Sequence, residues 1–218
     1  MSALRQVLRR GLEAALPQER FLVRGPSSRM EVALTFDDGP HPDVTPRLLD
    51  ALAHQKIAAT FFVIGREAER YPALVRRIVA EGHALGHHSW THSEPSATSS
   101  ASLLAEIDRC RALLHELTGI WSDRFRPPKG QLTASKLLGL LHRRQRVVLW
   151  SEDPRDYALS DSTPLIDWSN SASLSPGAIV LLHDCHRWCL DAVEPLAQRA
   201  ARGEFRLVTI DAWLPASR

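Results

Sequence analysis

Hydrophobic and polar positions follow two different periods along this chain, and the two periods alternate from residue 30 to residue 210. Residues 30–36 (MEVALTF) alternate and then become apolar just before Asp-Asp-Gly-Pro, which predicts a strand that ends in a loop. Residues 102–117 carry leucine and isoleucine at helical spacing and predict the clearest helix. Further strands are predicted at residues 58–64, 83–87, 124–126, 147–150, 178–182 and 206–210, and further helices at residues 46–54, 72–81, 133–142, 164–173 and 190–202.

This alternation of strand and helix predicts an α/β architecture with parallel strands, either a barrel or an open sheet, because each crossover must return along the sheet. The chain has 218 residues, which suits one domain with a sizeable core. In both architectures the loops that leave the carboxyl ends of the strands form the functional site. We therefore expect the chemistry to lie just after residues 36, 86, 125, 150 and 182.

Composition and charge narrow the choice of partners. Hydrophobic residues make up 44% and charged residues 24%, as in ordinary soluble domains, and the net charge is only +2 with dispersed arginines, so nucleic acid is not the expected partner. Three cysteines, without a disulfide-framework spacing, suit a reducing compartment. The apolar runs of residues 1–20 are too short for a signal-peptide core or a membrane span, which predicts a cytoplasmic protein without an integral membrane segment.

The chain divides into two predicted regions. Apolar residues recur at helical spacing between residues 4 and 16, which predicts a short amphipathic helix docked on the domain, in preference to a membrane-surface helix. Residues 1–28 are thus expected to form an N-terminal helical extension. Residues 29–218 are expected to form the single domain that carries the strand-end loops.

Reactive side chains follow the first and third predicted strands. Asp37 and Asp38 are adjacent at a strand end and can point in different directions, although Asp-Gly pairs are also common in plain turns. His88 and His92 stand four apart; in a helical turn they would share one face and could bind one metal ion. With one carboxylate they would form a facial 2-His-1-carboxylate set, which leaves coordination positions open. The nearby His83 and His87 are either solvated or competing ligands.

Three later strand ends also carry polar groups. Arg126 opens the sequence RPPKG, where the proline pair could fix a backbone N–H beside the guanidinium, or simply form a turn. Residues 150–157 (WSEDPRDY) contain three acids, for which solvated loop charges are the usual explanation. His183 ends an apolar strand, where it can transfer protons near neutral pH or be an ordinary buried histidine.

Five sequence segments, TFDDGP, HSWTH, FRPPKG, SEDPRDY and LLHD, resemble in order and spacing the five motifs of the polysaccharide deacetylase family, the NodB-like family 4 carbohydrate esterases. The resemblance runs from about Val32 to Asp184. It implies a distorted (β/α) barrel, often with seven strands. It also implies an enzyme, a hydrolase that removes N-acetyl groups from amino sugars of an oligo- or polysaccharide.

The resemblance implies a role for each matching residue. Asp38, His88 and His92 would hold a divalent metal ion, usually zinc, although cobalt or nickel can serve. Asp37 would be the general base and His183 the general acid.

Further positions would orient these groups or contact the substrate. By resemblance, Arg126 orients the base, Asp156 pairs with the acid, and the backbone N–H of Lys129 stabilises the oxyanion. Pro128, Tyr157 and Leu181 are expected beside the substrate, with Leu181 in the acetyl pocket.

Departures from the family pattern keep other functions open. Lys129 replaces a frequent tyrosine, Tyr157 a frequent tryptophan and His87 a frequent asparagine, while Cys185 and His186 follow the last motif where smaller residues are common. The alternatives are a metal-dependent O-acetyl esterase, a small-amide hydrolase, and a non-catalytic carbohydrate-binding protein. The pattern makes no prediction of oligomeric state.

Overall fold

A parallel β-sheet surrounded by helices makes up the protein, seen in a computed structural model that describes residues 11–214. The strands are β1 (Phe21–Leu22), β2 (Glu31–Asp37), β3 (Thr60–Val63), β4 (Ala84–His87), β5 (Arg124–Phe125), β6 (Arg146–Val148), β7 (Ala178–His183) and β8 (Arg206–Val208). The helices are α1 (Val44–Gln55), α2 (Gly65–Arg70), α3 (Pro72–Ala80), α4 (Ser100–Thr118), α5 (Ala134–His142), α6 (Thr163–Ser171) and α7 (Cys189–Ala201).

The sheet curls into a distorted barrel. Seven strands follow the order β1-β6-β5-β4-β3-β2-β7, and β8 pairs with the first residues of β2, whose last residues pair with β3. The chain just after β6 closes the barrel, because Glu152 forms a parallel bridge to Val180 of β7. The predicted α/β barrel is confirmed.

Alternation along β2 and β7 decides which side chains enter the barrel. In β2, Val32, Leu34 and Phe36 pack in a large apolar cluster with leucines of α1, whereas Ala33 packs with Ile179 in a cluster inside the barrel. Because neighbouring residues of a strand point to opposite faces, the side chains of Thr35 and Asp37 follow Ala33 to the inside. The same argument places Leu181 and His183 inside, after Ile179.

Local signals in the sequence fix several helix ends. The Ser99 side chain accepts a hydrogen bond from the Ser102 N–H at the start of α4, and Gly119 ends this helix with a φ of 75°. The Thr133 side chain caps α5 in the same way, and Pro72 occupies the first turn of α3. These ends agree with the predicted helices to within two residues.

The structure adds elements that the sequence pattern did not predict. Strand β1 has two residues and pairs with β6, and α2 follows directly after β3. Residues 11–15 are helical, and Leu12 and Leu16 pack against the core cluster that contains Phe21. Residues 1–10 of the predicted N-terminal helix lie outside the described residues. The division at residue 28 stays a prediction, although β1 of the sheet lies before it.

Two further expectations concern the whole chain. Cys110, Cys185 and Cys189 are free thiols. Within residues 11–214, no helix combines the length and the apolar character that crossing a bilayer requires. The cytoplasmic location stays a prediction.

Candidate active site

The carboxyl ends of β2 and β7 bring two reactive residues together. Asp37 is opposite His183 in the register of these neighbouring strands, and both side chains point into the barrel. Asp37 is 2% exposed. The adjacent Asp38 turns away with a left-handed φ of 74°, so the two carboxylates face different groups.

Asp38, His88 and His92 converge at this end of the barrel. The distances from Asp38 Oδ1 to His88 Nε2 and to His92 Nε2 are 3.6 Å and 3.5 Å, and one ligand atom from each of the three residues lies within 4.8 Å of the others. Residues 88–92 form a loop and not the helical turn that the four-residue spacing would also allow. Left-handed φ angles at Ser89 (64°) and His92 (54°) bring the two imidazoles together instead.

The donor chemistry of these residues fits a divalent metal ion. The Nδ1–H of His88 donates to the Arg126 carbonyl oxygen at 2.7 Å, which leaves Nε2 with a free lone pair. Burial lowers the pKa of His88 to about 3, so the ring is neutral and able to coordinate. Within the described residues, the buried Asp38 Oδ1 has no hydrogen-bond donor, which is costly unless a cation occupies the position between these groups.

One carboxylate of α4 holds the metal-binding loop in place. Glu106 Oε2 accepts hydrogen bonds from the Trp90 and Thr91 N–H groups at 3.0 Å and 3.1 Å, and Oε1 accepts one from the Thr91 hydroxyl at 2.7 Å. The His92 N–H donates to the Ser89 hydroxyl at 3.1 Å. The loop therefore keeps its left-handed residues through contacts on both sides.

Arg126 is fully buried and binds Asp37. Its Nη1 donates to Asp37 Oδ1 at 2.7 Å and to the Thr35 hydroxyl at 2.8 Å, while the other nitrogens donate to the Val148 and Leu149 carbonyl oxygens. Burial raises the pKa of Asp37 above its ordinary value, and the Arg126 charge opposes that rise. One carboxylate oxygen of Asp37 is thus fixed by Arg126, and the other, Oδ2, lies 3.8 Å from His88 Nε2.

His183 is paired with Asp156. Its Nδ1 is 2.7 Å from Asp156 Oδ1, and its backbone N–H donates to Oδ2 at 2.7 Å. Burial disfavours the imidazolium, but the hydrogen bond and the charge of Asp156 outweigh it and raise the pKa of His183 to about 9. The ring is therefore protonated at neutral pH, with Nε2 turned away from Asp156.

The four residues expected beside the substrate lie in different surroundings. Leu181 is buried two residues before His183 on the same strand face, and the Tyr157 ring stands edge-on to His183 at 5.3 Å. Pro128 is buried in a tight turn in which Lys129 has a φ of 55°. The Lys129 side chain points to Glu94 and forms an ion pair with it.

His83 and His87 do not join the metal ligands. His87 Nε2 is 2.9 Å from Gln145 Oε1, its ring stacks on Phe125, and burial lowers its pKa to about 3. His83 lies before the other end of β4 and accepts a hydrogen bond from the Ala59 N–H. Both are buried structural histidines.

Sequence reasoning gave no separate role to Asp184, although it directly follows His183. Its N–H donates to the Asp37 carbonyl oxygen at 3.1 Å, and its Oδ2 accepts a hydrogen bond from the Thr45 hydroxyl at 2.8 Å. The side chain packs against Gly39, and burial raises its pKa to about 7. Asp184 therefore supports the turn that carries both site aspartates.

An open cavity of about 550 Å³ extends from the metal ligands, which is within the usual size range of small-molecule sites. Asp38, His92 and Cys185 line one side of it. The opposite side is formed by α2 and the residue after it. The metal ligands Asp38 and His92 are thus accessible from solvent through this cavity.

Comparison with known proteins agrees with this geometry. The family model described as polysaccharide deacetylase matches residues 24–142. The chain belongs to this family. Polysaccharide deacetylases similar to it include a peptidoglycan-N-acetylglucosamine deacetylase of Bacillus cereus, 30% identical over 89% of this chain and 72% of that protein. A chitooligosaccharide deacetylase of Bradyrhizobium is 39% identical over 76% of this chain and 78% of that protein.

A solved structure of a peptidoglycan N-acetylglucosamine deacetylase superposes with a TM-score of 0.83 at 30% identity, covering 90% of this chain and 94% of that one. The family resemblance carried by the five motifs is therefore confirmed. So is the prediction that the chain is an enzyme, a hydrolase of the polysaccharide deacetylase type.

Proposed function

We propose that this polysaccharide deacetylase removes the acetyl group from an N-acetylated amino sugar of an oligo- or polysaccharide, with a divalent metal ion held by Asp38, His88 and His92. The observation that carries the proposal is the convergence of these three ligands between an Arg-bound carboxylate and an Asp-bound imidazole. That set contains every group an amide hydrolysis needs.

The ligand set favours zinc. Two imidazole nitrogens and one carboxylate oxygen are common ligands of catalytic Zn²⁺, and a three-residue set leaves positions for water and substrate. Cobalt and nickel accept the same donors and could replace it. A bound ion would polarise the acetyl carbonyl and lower the pKa of a coordinated water.

Asp37 acts as the general base in this proposal. The Arg126 ion pair at 2.7 Å fixes one oxygen of the carboxylate and leaves Oδ2 on the metal side, where it can accept the proton of the attacking water. Arg126 is an orienting residue, because each of its three guanidinium nitrogens donates to a group of the barrel interior.

His183 acts as the general acid. An amine leaves an amide only when its nitrogen is protonated, and a His183 pKa of about 9 keeps the proton available at neutral pH. Asp156 holds Nδ1, so the proton is delivered from Nε2. The Lys129 N–H stabilises the developing oxyanion, and Leu181 packs against the acetyl methyl group, with Pro128 and Tyr157 at the sugar.

Two variants test these roles. Asp37→Asn should retain one bound zinc ion per chain and lose most turnover, whereas His92→Ala should lose zinc affinity and activity together. Acetate release from N-acetylated oligosaccharides and metal content by mass spectrometry are the two readouts. Asp167→Asn, at an exposed position of α6, is the matched control and should change neither.

The outcomes separate the possibilities. Loss of metal in Asp37→Asn would exchange the base and ligand assignments, and full metal occupancy in His92→Ala would remove His92 from the site. Release of acetate from O-acetylated glycans alone would make the chain an esterase. No acetate from any acetylated carbohydrate would refute the proposed activity.

A further inference from the structure

The wall of the cavity that faces the metal ligands carries two arginines. Arg66 and Arg70 are four residues apart on α2, so both side chains project from one helix face, and both line the cavity that also contains Asp38 and His92. Tyr71 follows them, with the Arg70 guanidinium 5.3 Å from the centre of its ring. We call Arg66 and Arg70 the arginine wall.

Glu67 forms an ion pair with each arginine of the arginine wall through one guanidinium nitrogen. Arg66 Nε lies 3.1 Å from Glu67 Oε1, and Arg70 Nη1 lies 3.3 Å from Glu67 Oε2. Each ion pair uses one of the nitrogens of its guanidinium, and the two arginine side chains are 54% and 65% exposed. Two planar groups with unused donors therefore point into solvent at the cavity, which is the arrangement that binds a carboxylate through paired hydrogen bonds.

The arginine wall is fixed relative to the metal-binding loop. The Gly65 N–H donates to the Ser89 carbonyl oxygen at 2.9 Å, and the Arg66 N–H donates to the Trp90 carbonyl oxygen at 3.0 Å. Trp90 also packs on Gly65, where an added methyl group would meet its ring at 2.4 Å. The start of the helix that carries Arg66 and Arg70 is thus held beside the metal-binding loop.

The charge balance of the cavity favours an anion. Arg66 and Arg70 exceed Glu67 by one positive charge on this wall of the cavity. Among the described residues that line the cavity, Asp38 and Glu67 are the only carboxylates. A neutral sugar would leave this excess unused, whereas a carboxylate would be attracted into the cavity.

We propose that Arg66 and Arg70 bind a carboxylate on the sugar next to the one that loses its acetyl group, so that the preferred substrate is an acidic, carboxylate-bearing glycan. This inference rests on the proposed function, since it assigns the substrate class of the same site. Tyr71 supplies a flat apolar surface for the sugar ring beside that carboxylate.

Two oligosaccharides that differ only at the carboxylate test the inference. One is an N-acetylated oligosaccharide in which alternate sugars carry a 3-O-lactyl carboxylate, and the other is the same compound with each carboxylate reduced to an alcohol. The variant is Arg66→Gln/Arg70→Gln. Its matched control is Arg202→Gln, an arginine that is 57% exposed at the end of α7 and outside the cavity.

The double variant should lose about tenfold in kcat/KM on the acidic oligosaccharide, mainly through KM, because each partly exposed charge pair contributes modestly to binding. On the reduced oligosaccharide it should match the wild type. Arg202→Gln should match the wild type on both. Calorimetric dissociation constants for the same compounds should show the same difference, independently of turnover.

The two readouts distinguish the ways of failing. Acetate release with equal activity on the acidic and reduced compounds, or equal loss on both in the double variant, would overturn the role of the arginine wall and leave the deacetylase proposal intact. Charge-dependent binding without acetate release would refute the proposed activity and keep the arginine wall as a carboxylate site. Absence of both would overturn both.

Discussion

The Asp156→Asn substitution tests how His183 keeps its proton. With its pKa at about 9, His183 is about 97% protonated at pH 7.5. The variant loses the Asp156 charge, so that burial is opposed only by the charges of Asp37 and Asp38, and the pKa of His183 falls toward its ordinary value of about 6.5. At that value the protonated fraction at pH 7.5 is about 10%, and kcat should fall by up to about tenfold.

The pH dependence of kcat shows in which direction the pKa of His183 moves. A raised pKa keeps the acid form up to higher pH, so the basic limb of the wild-type kcat profile should lie near pH 9 and that of Asp156→Asn near pH 6.5. An NMR titration of the His183 ring gives the pKa directly, and Asp167→Asn serves as the control. An unmoved basic limb, or an unchanged His183 pKa in the variant, would refute the reasoning.

Two stability predictions concern the supports of the site. Gly39→Ala should lower the free energy of unfolding in urea by about 1–3 kcal/mol, because its methyl group would lie 2.0 Å from the buried Asp184 carboxylate. The control is Gly11→Ala, which has open space around it and should be tolerated. Thr35→Val should cost about 1–3 kcal/mol, because the Arg126 guanidinium and the Val180 carbonyl oxygen each lose a buried partner. Thr163→Val, at an exposed position, is the control and should change the free energy of unfolding by no more than about 0.5 kcal/mol. Equal losses of stability at positions 35 and 163 would contradict the second prediction.

The fold could be read from the sequence because long apolar strands alternate with periodic helices. The 7-residue β2 and the 19-residue α4 carry enough positions for their periods to be visible. Strand β1 has two residues and α2 has six, which are too few for any period to emerge. Their positions depend on pairing with β6 and on packing against Trp90, contacts between residues far apart in the chain.

The candidate-site residues that follow strand ends could be predicted from the sequence, because the carboxyl ends of the strands converge. Asp37 and His183 end neighbouring strands, and the motif order predicts that they share one site. The geometry of the two metal-binding histidines was not predictable from their spacing, because a four-residue interval suggests a helix and the loop instead uses left-handed backbone at Ser89 and His92. The support from Glu106, fourteen residues after His92, gave no local signal.

The hydrogen bonds of Glu106 couple the position of α4 to that of the metal-binding loop. Three hydrogen bonds from a single side chain of a surface helix end on residues flanked by the two imidazoles. A shift of α4 along its axis would therefore move the two imidazoles away from the position at which they can bind the same metal ion. It would do so even with no substitution among the cavity residues. Tuning of metal affinity is thus open to substitutions on the outer layer of the barrel, well away from any bound sugar.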